Sequence, residues 1–412
     1  MISRKLYGPP GTGKTTKLLS YVKTFLKLGT PLEKIGYFAF TTKAANESID
    51  RMLDYNKEWR RKDLKYFRTL HSLAFNRLGL NKDEYNTDMY SQDLDKRILE
   101  ILKIEVDNYK NAFKLVDFTD MIEQFNVSEL CPKFDVAFID EAQDLSPIQW
   151  NMVEIIKKNS KYVILAGDDD QAIYGWAGAD VKKFQQEISK KDIILPQSFR
   201  VPKLVQNIAD KILDRIPDDR RIKKSWKARE EEGTINYVTD IEDVPLHKGN
   251  WLILSRYNDK LSRLKPILKD MGIYFKYKNR KSYKATLFRN ILNYIRWQKG
   301  ELLSLSEVKG ILESSGRSEE PTEEKMYNLF DFNFYKTEEW FDVFTVDIEE
   351  CLYIREMLRL QEKLSHEPRV KLSTIHSAKG GEADNVLLIL DNTRTIREAL
   401  EKSQDKYDEE QR

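Results

Sequence analysis

Two short segments of the chain carry residue types at a spacing suited to nucleotide chemistry. The first, Gly8 to Thr15, reads GPPGTGKT and matches the phosphate-binding pattern G-x-x-x-x-G-K-S/T. Its glycines allow backbone N–H groups to converge on phosphate oxygens at the start of a helix, where anions are favoured. Lys14 would reach the β- and γ-phosphates, and the Thr15 hydroxyl would coordinate Mg²⁺. A Gly-Pro turn without a ligand is the alternative. The pattern predicts a site for ATP and Mg²⁺ along Gly8, Pro9, Pro10, Gly11, Thr12, Gly13, Lys14, Thr15 and Thr16.

The second segment, Val136 to Asp144, reads VAFIDEAQD and places acids directly after an apolar run. A buried strand of this kind would present Asp140 to hold Mg²⁺ through its water shell. Glu141 would orient or deprotonate the water that attacks the γ-phosphate. An apolar run before two acids is common by itself, but together with the phosphate-binding loop it predicts an ATP-hydrolysing core.

A third stretch, residues 167–180, reads GDDDQAIYGWAGAD and combines two kinds of chemistry. Three acids, of a kind that often lies beside a metal or a phosphate, precede Gln171. Tyr174 and Trp176 follow among glycines and alanines, and exposed aromatic rings often stack on a flat organic partner. Burial of the two rings in a core is the alternative.

The elements that must position these residues are short apolar runs separated by helical patterns. RKLY precedes the phosphate-binding loop, and an apolar helical face follows at residues 18–26. Later runs of strand length are IGYFAF, VAFID, YVILAG, DIIL, WLILS, KLSTIH and NVLLILD. This alternation predicts an α/β protein with parallel sheets covered by helices. We expect two cores, residues 1–190 and 191–412, with helical insertions at about 79–116 and about 285–368.

Composition excludes several other classes of protein. The chain has 412 residues, 33% of them charged, and a net charge of +2, which is ordinary for a soluble globular protein. Its longest apolar runs are far shorter than the roughly 20 residues that cross a bilayer, and the N-terminus lacks a signal-peptide apolar region. Two cysteines and four scattered histidines give neither a disulfide framework nor metal-ligand spacing. Basic clusters begin at Arg60, Arg221 and Tyr274, where a strand-tracking groove and a solvated face are both compatible with the pattern.

The order of the motifs is similar to that of one helicase family. YFAFTTKAANESIDRM, FRTLHSLAF, VDFTDMI, FIDEAQD, GDDDQAIYGWAGAD, LPQSFR and KLSTIHSAKGGEADNVLLILD follow one another along the chain. In content, order and approximate spacing they resemble the UvrD/Rep family of superfamily-one DNA helicases, from residue 2 to about residue 391. The resemblance implies two RecA-like P-loop cores and an enzyme that couples ATP hydrolysis to movement on single-stranded DNA.

The resemblance also implies roles for residues outside the two nucleotide segments. Gln171 would contact the γ-phosphate while Tyr174 and Trp176 stack on DNA bases, which would couple hydrolysis to grip. Arg200, in QSFR, would reach across the cleft between the two cores to the γ-phosphate; a surface salt bridge is the alternative. Glu382 would approach the ribose and phosphates. The other positions implied to contact DNA are Phe40, Thr42, Thr69, His71, His376 and Ser377, with a buried strand end as the alternative for Phe40 and a structural histidine for His71.

Several positions depart from the family pattern. The phosphate-binding loop begins at residue 8, so the upstream glutamine segment that reads adenine is missing, which puts the preference for ATP in question. Ala177 stands where relatives usually carry an arginine, and Gly381 replaces a usual leucine. The compact build of the chain and its segment GGEADNVLL look more like those of a phage-encoded member of the family. No sixth motif with its second arginine follows residue 391, so we expect residues 1–412 to bind nucleotide and DNA but to hydrolyse ATP slowly.

The expected function is that of a Mg²⁺- and ATP-dependent DNA helicase that moves 3′ to 5′ on single strands and acts at junctions of single and double strands. Its alternatives are a translocase that displaces proteins without unwinding, and a truncated, weakly catalytic DNA-binding fragment. Retention of Lys14, Asp140, Glu141 and Gln171 argues against a non-catalytic module. We expect the protein in the cytosol of a bacterium or a phage-infected host, with no membrane partner.

Overall fold

The fold was analysed in a computed structural model of the chain. The residues that the structure describes are 2–80, 108, 110, 115–278, 280–332, 334, 337–362, 367–390, 398 and 400–412. They divide into two compact units, the first formed by residues 1–235 with 398–412 and the second by residues 236–397. Within the described residues, no helix combines the length and the apolar character that a membrane crossing requires.

A six-stranded sheet forms the centre of the first unit. Its strands are β1 (Ile2–Tyr7), β2 (Ile35–Ala39), β3 (Phe67–Thr69), β4 (Phe134–Ile139), β5 (Ser160–Gly167) and β6 (Asp192–Ile194). They are ordered β3-β2-β4-β5-β1-β6, and every neighbouring pair is parallel. Because all strands run in one direction, their carboxyl ends lie at the same edge of the sheet, where ligands usually bind in open α/β folds.

Helices cover both faces of this sheet. They are α1 (Lys14–Lys27), α2 (Thr42–Tyr55), α3 (Leu70–Leu78), α4 (Phe118–Val127), α5 (Pro147–Lys158), α6 (Val181–Gln186) and α7 (Lys203–Leu213). Side chains of β4 alternate between the two faces: Val136 and Phe138 join the core under α1 and α2, whereas Ala137 and Ile139 join the core under α3, α4 and α5. Burial on both faces explains why residues 136–139 of this strand form an unbroken apolar run.

The second unit contains a five-stranded sheet and a helical region. The strands are β7 (Trp251–Ser255), β8 (Phe275–Tyr277), β9 (Arg280–Lys281), β10 (Val370–Thr374) and β11 (Asn385–Leu388), in the order β11-β7-β10-β8-β9. All pairs are parallel except β8 with β9. The helices are α8 (Asn258–Asp270), α9 (Ala285–Gln298), α10 (Leu305–Ser314), α11 (Trp340–Val343), α12 (Ile348–Arg359) and α13 (Ile375–Ala378). Helices α9 to α12 surround a separate apolar core that includes Trp297, Phe334 and Ile354.

The last helix of the chain, α14 (Gln404–Gln411), belongs to the first unit. Arg220 forms ion pairs with Asp405 and Asp408 of this helix, and Asp408 is buried. Lys182 lies 3.1 Å from Asp405. These contacts hold α14 against α6 and against the turn at Arg220 that follows α7.

The α/β fold class with two sheets is confirmed by this architecture. The first unit continues past the expected boundary near residue 190, because β6 pairs with β1 and the unit extends to Ile235. The expected insertion at about 79–116 lies almost entirely outside the described residues. Residues 285–359, where the second insertion is expected, carry α9 to α12 together with an isolated bridge between Leu303 and Tyr327.

Candidate nucleotide and nucleic-acid site

The phosphate-binding loop connects the carboxyl end of β1 to the first turn of α1. Gly11 and Gly13 have φ angles of 71° and 77°, a region that side chains disfavour, so glycine is needed at both positions. The Gly8 N–H donates to the carbonyl of Gly167 at the end of β5, over 3.1 Å. The Thr12 hydroxyl donates to the Pro9 carbonyl over 2.8 Å and closes the loop on itself.

Lys14 is a buried cation at the start of α1. Its Nζ lies 2.8 Å from Glu141 Oε2, while only 9% of the lysine side chain is exposed. Burial opposes the charge, but the carboxylates of Glu141 and Asp140 outweigh it and raise the pKa of Lys14 above its ordinary value. The two predicted catalytic residues are thus brought together, with the lysine held in its charged form.

Asp140 follows β4 and lies beside Thr15. The Thr15 hydroxyl is 3.4 Å from Asp140 Oδ2, and the buried Tyr37 hydroxyl donates to the same oxygen over 2.8 Å. Burial raises the pKa of Asp140, and the charge of Glu141 adds to the rise. Sequence reasoning missed Tyr37, which lies in β2 and carries no motif signal.

The oxygen ligands at this position fit Mg²⁺. A threonine hydroxyl and a carboxylate are hard donors, and a nearby cation would stabilise a carboxylate that burial otherwise disfavours. In the part of the chain that the structure describes, no cluster of three or more His, Cys, Asp or Glu side chains is arranged to hold a metal. One protein carboxylate with additional ligands from phosphates is the usual mode for Mg²⁺ and not for Zn²⁺.

Gln143 links the ends of β4 and β5. Its Nε2 donates to Glu141 Oε2 over 2.7 Å, and its Oε1 accepts from the Asp168 N–H over 3.0 Å. Glu141 has a φ of 56°, which is rare for a residue with a side chain and is typical of functional sites. Gln143 therefore orients the proposed water-activating carboxylate, a role that spacing alone does not reveal.

Gln171 reaches the phosphate-binding loop. Its Nε2 lies 2.6 Å from Asp168 Oδ2 and 3.4 Å from the carbonyl oxygen of Gly8. Asp168 is fully buried. The Nε2 amide group of the side chain that is expected to sense the γ-phosphate thus contacts both Asp168, directly after β5, and the loop.

The three acids at 168–170 pair with cations of the protein. Lys224 Nζ lies 2.7 Å from Asp168 and 2.9 Å from Asp170, and it also forms an ion pair with Asp169. Arg221 donates twice to Asp170, over 3.1 and 3.0 Å. Two cations of the basic cluster at 221–229 are therefore buried in this network and do not form a solvated or DNA-facing surface.

The resemblance implied that Arg200 belongs to a second core and reaches across a cleft. In the structure, Arg200 lies in the first unit. Neighbouring residues bond directly to the loop: Ser198 Oγ donates to the Pro10 carbonyl over 2.7 Å, and the Phe199 N–H donates to the Gly11 carbonyl over 2.9 Å. A Cβ on Gly11 would lie 2.3 Å from Arg200 Cβ. The backbone of QSFR is thus packed against the phosphate-binding loop.

Three aromatic side chains expected to contact DNA form one cluster. The ring of Phe40 lies 5.3 Å from that of Tyr174, which lies 6.4 Å from that of Trp176. Trp176 is 53% exposed, which excludes the core alternative for this residue. Phe40 and Tyr174 are half-buried. The cluster follows the carboxyl ends of β2 and β5, at the same edge of the sheet as the nucleotide residues.

Other predicted DNA contacts lie at the ends of strands. Thr69 ends β3 and caps α3 by accepting from the Ser72 N–H over 3.1 Å, and Thr42 is exposed at the start of α2. The ring of His71 lies 4.9 Å from that of Phe118, and burial lowers the pKa of His71, so the imidazole is neutral near pH 7.

The remaining positions belong to the second unit. His376 and Ser377 lie in α13, directly after β10, where Thr374 Oγ1 accepts from the Ser377 N–H over 3.3 Å. Glu382 is exposed between α13 and β11. Gly380 has a φ of 77°, so a glycine is required in the turn between them.

Comparison with known proteins identifies similar sequences over the first unit. The family model of the UvrD/REP helicase N-terminal domain matches residues 3–130 and 79–192. ATP-dependent DNA helicase PcrA of Staphylococcus epidermidis is 31% identical over 135 residues, which cover 30% of this chain and 18% of that protein. PcrA of Staphylococcus aureus is 30% identical over the same length and the same shares. The alignment thus spans less than a fifth of these relatives.

The solved structures that match include the crystal structure of Pif1 helicase from Candida albicans. It is 17% identical, and the alignment covers 64% of this chain and 50% of that one. The TM-score is 0.27, too low to carry an argument about the fold.

Proposed function

We propose that this chain is a Mg²⁺-dependent ATPase of the UvrD/REP helicase type that moves along single-stranded DNA and separates duplexes; the family model of the UvrD/REP helicase N-terminal domain matches residues 3–192. The observation that carries the proposal is the convergence of Lys14, Asp140, Glu141 and Gln171 at one edge of a parallel sheet. An exposed Trp176 follows Gln171 in the same short segment. The proposed contact of Gln171 with the γ-phosphate and that of Trp176 with the strand would therefore lie on one continuous piece of chain.

The geometry supports a specific order of events at the nucleotide. Lys14 pairs with Glu141 over 2.8 Å, and phosphate oxygens would compete for the same ammonium group. Once Lys14 binds phosphate, the Glu141 carboxylate is released to accept a hydrogen bond from the attacking water, and Gln143 keeps it oriented. Mg²⁺ held by Thr15 and Asp140 would neutralise charge on the transferring phosphoryl group.

Coupling to DNA is proposed to run through the segment between Gln171 and Trp176. Loss of the γ-phosphate would remove a partner of Gln171, and the resulting shift would move the aromatic cluster of Phe40, Tyr174 and Trp176. Stacking on these rings is independent of base identity, as movement along any strand requires. We also propose that the protein moves 3′ to 5′, acts at single-strand/duplex junctions and is located in the cytoplasm.

ATP hydrolysis measured with and without single-stranded DNA tests the proposal. We expect DNA to stimulate turnover and Lys14→Ala to abolish it without loss of fold, since the lysine charge is directed at phosphate. Lys17→Ala, which removes an exposed lysine of the same helix, is the matched control and should retain turnover. Near-normal hydrolysis by Lys14→Ala would refute the nucleotide site. If the protein hydrolyses ATP and displaces bound proteins but does not separate strands, the proposed function is translocation without unwinding.

A further inference from the structure

Lys224 is a buried cation that the steps above leave unused. Only 1% of its side chain is exposed, and it is surrounded by the carboxylates of Asp168, Asp169 and Asp170. Burial opposes its charge, but the three carboxylates outweigh this effect and raise the pKa of Lys224 well above its ordinary value. A lysine is rarely buried to this extent unless it is paired, so its partners indicate what it does.

The carboxylate of Asp168 has a different partner on each oxygen. Lys224 Nζ lies 2.7 Å from Oδ1, whereas Gln171 Nε2 lies 2.6 Å from Oδ2. Oδ1 also accepts from the Asp170 N–H over the longer distance of 3.3 Å, so Lys224 is its closer and charged partner and helps to determine which way Oδ2 points. Gln171 in turn lies 3.4 Å from the Gly8 carbonyl of the phosphate-binding loop. A chain of three contacts connects the buried lysine to the phosphate-binding loop.

We propose that Lys224 is a positioning residue that orients Gln171 toward the γ-phosphate by fixing the carboxylate of Asp168. The inference rests on the proposed function and adds to it a residue that no motif contains. Lys224 does not touch the nucleotide; it acts through Asp168 alone.

The neighbouring acids have other means of support. Asp169 accepts from Gln185 Nε2 over 2.9 Å and from the Ile222 N–H over 2.8 Å, and Asp170 accepts twice from Arg221. In the described part of the chain, the cation that forms an ion pair with Asp168 is Lys224. Loss of Lys224 therefore acts most directly on Asp168, and through it on Gln171.

A set of variants separates positioning from a purely structural role. Lys224→Met leaves the Asp168 carboxylate without its cation. Asp168→Asn leaves Lys224 paired with Asp169 and Asp170. Lys224 then attracts the single oxygen of the new amide, which turns the amide NH₂ toward Gln171. Two hydrogen-bond donors therefore face each other. In the double variant only the more distant Asp170 N–H still competes for that oxygen, which can then accept from Gln171 again. Lys223→Met is the matched control, because Lys223 is the adjacent lysine, is largely exposed and pairs with Asp218.

The readout is the ratio of the dissociation constants for ADP and for a non-hydrolysable ATP analogue, measured with Mg²⁺ by displacement of a fluorescent nucleotide. The shift in this ratio that Gln171→Ala causes is the full effect of losing the Gln171 side chain, against which the other variants are compared. We expect Lys224→Met and Asp168→Asn each to shift the ratio by about tenfold through weaker analogue binding, with ADP binding within about twofold. The double variant should recover most of the shift, and Lys223→Met should show none.

Thermal melting of each variant accompanies the titrations. A purely structural role predicts a double variant that is worse than either single variant in both melting and binding, and this result would overturn the inference. If Lys224→Met does not fold, the comparison of Asp168→Asn with the double variant decides the question. If the unaltered chain binds no nucleotide, the proposed function fails and the inference with it; if it binds and no variant moves the ratio, only the inference fails.

Discussion

Replacement of Tyr37 by phenylalanine tests whether a strand residue without a motif supports Asp140, the proposed metal-binding carboxylate. The Tyr37 side chain is fully buried, and its ring is stacked on Phe67 with centroids 5.5 Å apart and planes 6° apart. Phenylalanine keeps this ring and removes only the hydroxyl that donates to Asp140 Oδ2 over 2.8 Å. Tyr37→Phe is therefore a deletion of one hydrogen bond with little change in packing.

The size of the effect follows from the charge of the acceptor. A buried hydrogen bond to a charged group contributes about 1.5–3 kcal/mol, so Tyr37→Phe should lower the free energy of unfolding by that amount. Burial raises the pKa of Asp140 above its unfolded-state value. The contribution of Asp140 to stability therefore falls as the pH rises from the unfolded-state pKa to the folded-state pKa. The Tyr37 hydroxyl stabilises the charged form, so the loss should be smaller in mildly acid buffer than at pH 8.

Urea unfolding in the presence of EDTA at the two pH values measures this loss. Tyr21→Phe, which removes a hydroxyl from a half-buried ring of α1 in the same unit, should change the free energy by less than about 0.5 kcal/mol. A value for Tyr37→Phe equal to that control at pH 8 would refute the reasoning. Measured in parallel, ATP turnover should fall, because Asp140 loses the donor that fixes Oδ2 beside Thr15.

Three further changes probe the edge of the sheet. Trp176→Ala should weaken binding to oligo-dT and to mixed-sequence strands alike by about 1–3 kcal/mol in anisotropy titrations, and unchanged isotherms would contradict the stacking role. Gly11→Ala should lower the free energy of unfolding by about 1–3 kcal/mol more than Gly29→Ala, because both have positive φ but only the Cβ at Gly11 meets Arg200. Glu409→Gln removes a carboxylate that accepts from the Trp176 N–H over 3.3 Å, and should tighten strand binding by about 0.5 kcal/mol at low salt; an effect that persists in high salt would contradict an electrostatic cause.

Motif chemistry was predictable because its residues are neighbours in the chain. Lys14 and Thr15 are adjacent in the loop, and Asp140 and Glu141 follow one strand, so a local pattern is enough to find them. Their mutual approach follows from parallel strand order, which the alternation of apolar runs and helical patterns already predicts. The exposure of Trp176 agrees with the glycines and alanines around it.

What the sequence by itself determined is therefore the fold class and the strands that present the candidate nucleotide residues. Only the tertiary structure decided the partners of their charges: Tyr37 for Asp140, Lys224 for Asp168, and the loop itself for the segment that holds Arg200. It also decided that the acids at 168–170 pair with protein cations and that β6 extends the first sheet past residue 190. The physical reason is that a buried charge must find an opposite charge or a donor in space, and spacing along the chain carries no record of which distant residue folding will place there.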